Sequence, residues 1–128
     1  MSLCIGVVGP CAAGKTTLVK RLRSQGYIVR HIAQEHSYVP TMWRRIANPD
    51  ILIYLDVNYQ NTRTRKRLDW TFEEYQEQLR RLSHARAHAD LIVDTNPLSE
   101  EEVFQSVLRF IENSEKLSRQ RKSSDSES

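Results

Sequence analysis

Glycine is scarce in this sequence and absent from most of it. The 128-residue chain has four glycines, at positions 6, 9, 14 and 26. Glycine adopts positive φ angles and allows close backbone approach at little steric cost. We therefore expect a loop with unusual backbone geometry near the N-terminus, and any motif that needs a glycine after Gly26 is excluded.

Cysteine and long hydrophobic runs are also limited. Cys4 and Cys11 are too few for a disulfide framework or a cysteine-rich zinc site, and a reducing cytoplasm is the expected location. The apolar runs 3–8 and 51–55 are too short to span a membrane, and no basic region precedes the first one, so we expect neither a membrane segment nor a secretory signal. The net charge of +3 fits a phosphate-bearing small ligand and does not favour a nucleic-acid partner.

Short apolar runs predict strands, and the segments between them predict helices. The predicted strands are 3–8, 27–33, 51–56 and 91–95, and the predicted helices begin near Thr16, Pro40, Thr71 and Ser99. Each connection is long enough for a crossover helix, so parallel pairing is allowed. The sequence therefore predicts an α/β three-layer sandwich with a short, mostly parallel sheet of about four strands.

The segment 9–16, GPCAAGKT, matches the phosphate-loop pattern GxxxxGK[ST] between a predicted strand and a predicted helix. Backbone N–H groups of such a loop surround phosphates, the lysine contacts the outer phosphates, and the threonine hydroxyl binds Mg²⁺. The motif predicts the P-loop NTPase fold in residues 1–112, with a nucleoside triphosphate and Mg²⁺ as ligands. The predicted nucleotide-binding residues here are Gly9, Ala12, Ala13, Gly14, Lys15, Thr16 and Thr17.

Polar residues at other strand ends are further candidates, because ligands bind at the carboxyl edge of a parallel sheet. Asp56 either binds Mg²⁺ or caps the following turn. Glu35 is a metal-side acid, a general base toward an acceptor hydroxyl, or a solvated loop residue. Asn96 lies in a segment that could line a base pocket.

The segment 63–67, RTRKR, concentrates four positive charges in five residues. It follows the strand that ends at Asp56. We favour a lid in which Arg63, Arg65 and Arg67 neutralise charge on the transferring phosphate. The alternatives are a solvated basic face and a weak nucleic-acid patch.

Several P-loop classes are excluded, since the GTPase DxxG motif and the transport-ATPase signature both need a later glycine. The chain resembles the nucleoside and nucleotide kinases of the P-loop class, thymidylate kinases most closely, over about residues 1–112. The resemblance is carried by the phosphate loop, by PDILIYLDV at 49–57 and by ADLIVDT at 89–95. It implies ATP-dependent phosphotransfer. The chain departs from that family because it has no Asp-Arg dipeptide, which handles the acceptor there.

The leading interpretation is a small kinase that moves the ATP γ-phosphate to a nucleotide or another small acceptor. The alternatives are a non-catalytic ATP-binding module, a partner-dependent ATPase and, less favoured, an ATPase linked to nucleic acid. The polar segment 113–128 is predicted to be a disordered tail. The sequence leaves the oligomeric state open, a homodimer included.

Overall fold

Strands and helices alternate along the chain in the computed structural model, which describes residues 3–66 and 69–126, with side chains up to residue 117. The strands are β1 (Cys4–Val8), β2 (Ile28–His31), β3 (Ile51–Asp56) and β4 (Leu91–Asp94). The helices are α1 (Lys15–Ser24), α2 (Met42–Ile46), α3 (Tyr59–Lys66), α4 (Phe72–His88) and α5 (Glu100–Ser126), and a 3₁₀ turn spans Gln34–His36.

All four strands run parallel in the order β2-β1-β3-β4. The two central strands, β1 and β3, are buried almost throughout, as their continuous apolar sequences predict. The predicted α/β class and the parallel sheet of four strands are confirmed.

Helices cover both faces of the sheet. On one face, α1 and α5 pack on Ile5, Ile53 and Leu55. On the other, α2 and α4 pack on Leu52 and Tyr54. Alternate residues of β3 therefore belong to two separate cores, because successive side chains of a strand point to opposite faces.

The predicted starts of α4 and α5 are confirmed by their caps. The hydroxyl of Thr71 accepts a hydrogen bond from the Glu74 N–H at 3.2 Å, and the Glu74 carboxylate accepts one from the Thr71 N–H. Ser99 and Glu102 form the same reciprocal pair of hydrogen bonds at the start of α5. Each capping box satisfies N–H groups that a helix start leaves without partners.

Helix α3 is a helix that the sequence interpretation missed. Its residues are mostly polar and lack an apolar stripe. Asn58 caps it, since its Oδ1 accepts the Asn61 N–H at 2.8 Å. Thr62 is fully buried, and its hydroxyl accepts from the Trp70 indole at 2.9 Å. A cap and one buried threonine thus stabilise α3 where periodicity gives no signal.

Helix α5 continues past residue 112, whereas the sequence predicts that the ordered domain ends there. No glycine or proline follows Pro97, so no residue in this segment breaks the helix. In the described ranges, no helix combines the length and apolarity that crossing a bilayer requires.

Two aspartates secure the amino edge of the sheet. The Asp50 carboxylate accepts the Cys4 N–H at 2.8 Å, and the Asp90 carboxylate accepts the Leu52 N–H at the same distance. In turn, the backbone N–H of Asp50 donates to the Cys4 carbonyl, and the backbone N–H of Asp90 donates to the Leu52 carbonyl. Each side chain thereby satisfies a strand-end donor next to the turn that leads into β3 or β4.

Candidate functional site

A cavity of about 560 Å³ opens at the carboxyl edge of the sheet. The chain leaves β1 and β3 toward opposite sides, because β2 pairs on one side of β1 and β4 pairs beyond β3. Ligands of open parallel sheets bind at such a reversal point. The cavity wall comes from the β1–α1 loop (residues 9–14), α1, the end of β2, the 3₁₀ turn, α3 and the start of α5.

The β1–α1 loop bends through three residues with positive φ, namely 155° at Gly9, 67° at Ala12 and 96° at Gly14. Among the residues that the structure describes, no acceptor faces the backbone N–H groups of residues 14–17. These groups lie at the start of α1, where the helix dipole adds partial positive charge. The loop therefore offers several donors to an anion.

The two glycines of the loop are required for different reasons. A Cβ on Gly9 would lie 2.4 Å from the Leu55 carbonyl oxygen, so a side chain there collides with β3. A Cβ on Gly14 would meet no atom within 4 Å, but the φ of 96° disfavours any other residue. The spacing of the motif thus combines one steric and one conformational requirement.

Lys15 is buried in the cavity wall with a side-chain exposure of 6%. Its Nζ donates to the Gly9 carbonyl at 2.5 Å and the Pro10 carbonyl at 3.0 Å. Nζ also lies 2.7 Å from Oε2 of Glu35. An anion that enters the cavity would compete with these three oxygens for the ammonium group.

The 3₁₀ turn positions Glu35 through its buried neighbour Gln34. The Gln34 amide donates to the carbonyls of Val39 at 2.9 Å and Arg81 at 3.3 Å, and its oxygen accepts the Trp43 N–H at 2.8 Å. Glu35 itself is 4% exposed, which rules out a solvated loop position. Its Oε1 is buried and has no hydrogen-bond partner in the described part of the chain.

Arg65 connects three walls of the cavity. Its guanidinium donates to the carbonyl of Thr95 at 2.7 Å, the hydroxyl of Thr95 at 2.9 Å and the carbonyl of Ala12 at 3.4 Å. Lys66 lines the cavity beside it. Part of the predicted basic lid therefore does reach the candidate site.

Arg63, a second member of the predicted lid, does not add to this contact. Arg63 has its guanidinium 5.9 Å from the centre of the Tyr59 ring, and it does not line the cavity. Arg67 lies outside the described residues. Arg65 is therefore the member of the predicted set that the described structure places at the site.

Asp56 lies outside the cavity lining. It shares the face of β3 with Tyr54, toward α4, and its Oδ2 lies 3.8 Å from Arg86 Nη2. Arg86 also stacks over the Tyr54 ring at 5.6 Å. Arg86 of α4 thus pairs with the acid that the sequence suggests as a metal ligand.

Asn96 also lies outside the cavity lining. Its Oδ1 accepts from the Asn58 N–H and the Asn61 amide, each at 2.9 Å. Its own amide donates to Asp94 Oδ1 at 2.6 Å. In this arrangement Asn96 connects the end of β4 to the start of α3, and its role in nucleotide binding stays a prediction from the sequence.

His31 is a cavity residue that the sequence interpretation missed. Partial burial of the imidazole lowers its pKa, the Lys15 ammonium lowers it further, and Glu35 partly opposes this shift. His31 is the last residue of β2, so an accurate strand end would have placed it at the carboxyl edge, where ligands bind. The predicted strand 27–33 ends two residues beyond the observed strand, so it places His31 in the strand interior and not at the carboxyl edge of the sheet.

The cavity combines N–H donors, a buried lysine, an arginine and a buried carboxylate. The Thr16 hydroxyl and the Glu35 carboxylate both line it, and oxygen groups of this kind are the ligands that Mg²⁺ prefers. No protein-family model and no curated protein matches this chain. The chemistry must therefore be inferred from the cavity residues, which suit a phosphate-bearing ligand.

Proposed function

We propose that this chain has a P-loop fold, binds Mg-ATP at the β1–α1 loop and transfers the γ-phosphate to a nucleotide or another small acceptor. The observation that carries the proposal is the buried Lys15 beside a loop whose N–H groups, at residues 14–17, have no acceptor among the described residues. Such donors, together with a helix N-terminus, stabilise phosphate oxygens.

Lys15 is the residue proposed to hold the outer phosphates. Its ammonium contacts three oxygen atoms, those of Gly9, Pro10 and Glu35. Phosphate oxygens are stronger partners for a cation than backbone carbonyls, because the contact is charge-assisted. Binding would therefore exchange the two neutral carbonyl acceptors for charged ones and keep the buried ammonium satisfied.

Thr16 is the residue best placed to hold Mg²⁺, since its side chain is exposed and lines the cavity. When bound, Mg²⁺ neutralises charge on the phosphate oxygens. Glu35 is the acid that lines the same cavity, whereas Asp56 pairs with Arg86. The metal role of Asp56 stays a prediction from the sequence.

Glu35 and Arg65 are the proposed groups on the acceptor side. The Glu35 carboxylate is a general base of the right type, and its free Oε1 leaves an acceptor for a substrate hydroxyl proton. The Arg65 guanidinium, held by Thr95, supplies a fixed positive charge at the cavity wall. Both side chains are positioned by the protein before any ligand enters.

A non-catalytic ATP-binding module, or an ATPase that needs a partner, is the second candidate. It is favoured by the position of Arg63 over Tyr59, which leaves Arg65 as the arginine lining the cavity in the described ranges. A phosphotransferase that bound ATP but lacked further charge at the transferring phosphate would be slow. A partner chain could supply the missing group.

The test is incubation of the protein with Mg²⁺ and γ-phosphate-labelled ATP, together with a panel of nucleosides, nucleoside monophosphates and small hydroxylated metabolites. We expect label on one acceptor class. Binding of ATP without transfer, or slow release of free phosphate, would favour the second candidate. Failure to bind Mg-ATP at millimolar concentration would overturn both.

Lys15→Met and Lys20→Met form a matched pair for this experiment. Both lysines lie on α1, but Lys15 is buried at the cavity and Lys20 is exposed. We expect Lys15→Met to abolish ATP binding and Lys20→Met to retain it, with far-ultraviolet circular dichroism as the check that each variant folds.

A further inference from the structure

Cys11, Glu35 and His36 converge on one wall of the cavity. Their sulfur, carboxylate oxygen and imidazole nitrogen atoms all lie within 4.8 Å of one another. Cys11 comes from the β1–α1 loop, and the other two come from the 3₁₀ turn. We propose that these three side chains bind one divalent cation of the Zn²⁺ class.

The unpartnered oxygen of Glu35 is an independent indication of a ligand at this place. Lys15 occupies Oε2 at 2.7 Å, whereas Oε1 is buried and has no partner within the described ranges. The Glu35 side chain is 5% exposed, so bulk water does not satisfy that oxygen. His36 Nε2 lies 3.9 Å from Oε2, the oxygen that Lys15 also contacts, so a cation that rotated the carboxylate to use Oε1 would supply the missing partner.

Gln78 holds the cysteine in position. Its Oε1 accepts the Cys11 N–H at 3.0 Å, and its Nε2 donates to Cys11 Sγ at 3.1 Å. Gln78 itself is 8% exposed on α4. Residues that orient a metal ligand in this way typically contribute about 10–100-fold to metal affinity.

The ligand types determine which cation fits. A thiolate, an imidazole and a carboxylate suit Zn²⁺ or Co²⁺, whereas Mg²⁺ prefers oxygen ligands. Three protein ligands leave a fourth tetrahedral position that can face the cavity. The ligand set therefore differs from that of the Mg²⁺ site proposed at Thr16. Both sites include the Glu35 carboxylate, so a cation bound here would compete with the role of Glu35 in phosphotransfer, but its occupation does not require ATP.

Binding requires small movements and releases a proton. Zinc–sulfur and zinc–nitrogen bonds are about 2.3 Å and about 2.0–2.1 Å long, so the three ligand atoms must approach one another. His36 can move, because its side chain is 62% exposed. Metal binding replaces the Cys11 S–H bond by a sulfur–metal bond, and the proton passes to the solvent.

The Lys15 ammonium opposes the binding of a second cation near Glu35. We therefore expect weaker binding than in closed structural zinc sites, in which no positive side chain contacts a ligand. Cobalt is the better probe in this case, because a thiolate–Co²⁺ bond absorbs light and reports the cysteine directly.

The experiment is a titration of the metal-free, reduced full-length protein with Co²⁺, followed by displacement with Zn²⁺. We expect one ion per chain, one proton released per ion and a thiolate-to-cobalt absorption band that Zn²⁺ removes. Cys11→Ser should lose the band. His36→Gln and Gln78→Ala should each weaken Co²⁺ binding by about tenfold or more.

The chain contains its own controls. Cys4→Ser removes the other thiol, and His84→Gln breaks the imidazole pair that His84 forms with His88 at 4.2 Å. Both variants should bind Co²⁺ like the unmodified protein. Absence of binding, a band that survives Cys11→Ser, or a band lost in Cys4→Ser or His84→Gln would overturn the proposal. None of these readouts depends on nucleotide, so a failed kinase assay leaves them unaffected.

Discussion

The ion pair between Lys15 and Glu35 lies where almost no solvent reaches either side chain, at 6% and 5% exposure. Burying both charges costs desolvation energy, which the attraction between them and their hydrogen bonds must offset. The Glu35 carboxylate is not fully hydrogen-bonded, because its Oε1 has no partner among the described residues. A ligand that enters the cavity would therefore compete with this pair for the Lys15 ammonium and the Glu35 carboxylate.

We predict that Lys15→Met destabilises the protein by about 3–5 kcal/mol, because it leaves the Glu35 charge buried without its partner. The double variant Lys15→Met/Glu35→Gln should recover most of that loss, since both charges are then absent. Urea unfolding of the single and double variants measures the difference. Equal stability of the two variants would show that the pair is not coupled.

His31 should make stability depend on pH. Its pKa is lowered by partial burial and by Lys15, so between that pKa and the ordinary value the unfolded chain binds more protons than the folded one. The free energy of unfolding should therefore fall as the pH decreases through this window. His31→Gln should make the fall shallower in urea unfolding between about pH 7.5 and 5. An unchanged slope would contradict the assignment.

The sequence could predict the position of a side chain only where that residue belongs to one contiguous strand, loop and helix. The phosphate-loop pattern placed Lys15 and Thr16 at the cavity, since strand, loop and helix are contiguous. It could not show which way Asp56 and Glu35 face. Asp56 follows the period of β3 toward α4, and Glu35 depends on the 3₁₀ turn that Gln34 stabilises.

The β1–α1 loop is the element on which the proposed nucleotide site depends. It passes so close to β3 that position 9 has no room for a side chain, and it turns into α1 through a left-handed residue at position 14. The loop is thus shaped by contact with the sheet at one end and by backbone conformation at the other.

Alanine substitutions should separate these two causes. Gly9→Ala should destabilise the protein by about 3 kcal/mol, because overpacking against the Leu55 carbonyl adds to strain at positive φ. Gly26→Ala is the matched control, since Gly26 has a φ of 92° and nothing near its Cβ, and should cost about 1–2 kcal/mol. Thermal and urea unfolding measure both values. A loss for Gly9→Ala no larger than for Gly26→Ala would contradict the steric account.

The two helices that begin with a capping box could be predicted, and the helix without an apolar stripe could not. Thr71 and Ser99 carry capping boxes that the sequence shows directly. Helix α3 depends on the buried Thr62 and on Trp70, which meets it from the following segment. Such tertiary contacts leave no periodic signal in the sequence.

At the scale of the whole molecule, the class of fold could be predicted but the order of strands could not. Alternating apolar strands and helices predict a parallel sheet. The placement of β1 between β2 and β3 depends on which face each crossover helix covers. That order is what creates the reversal point at which the cavity lies.

Nucleotide binding should stabilise the whole fold. ATP at about a hundred times its Kd should raise the free energy of unfolding by about 2.7 kcal/mol, because it binds only the folded chain. We expect a rise in Tm with Mg-ATP for the unmodified protein and for Lys20→Met, measured by differential scanning fluorimetry. An equal rise in the Lys15→Met/Glu35→Gln variant would place the binding elsewhere.

The amino edge of the sheet, where Asp50 and Asp90 bond the strand-end N–H groups, lies at the opposite end of the sheet from the cavity. Helix α1 carries the chain from the cavity back to this edge, where Gln25 is exposed just before β2. A fluorophore or a surface tether attached at Gln25→Cys, in a variant that also carries Cys4→Ser and Cys11→Ser, would lie a full helix length from Lys15. Immobilised in this way, every copy would present its cavity toward the solution.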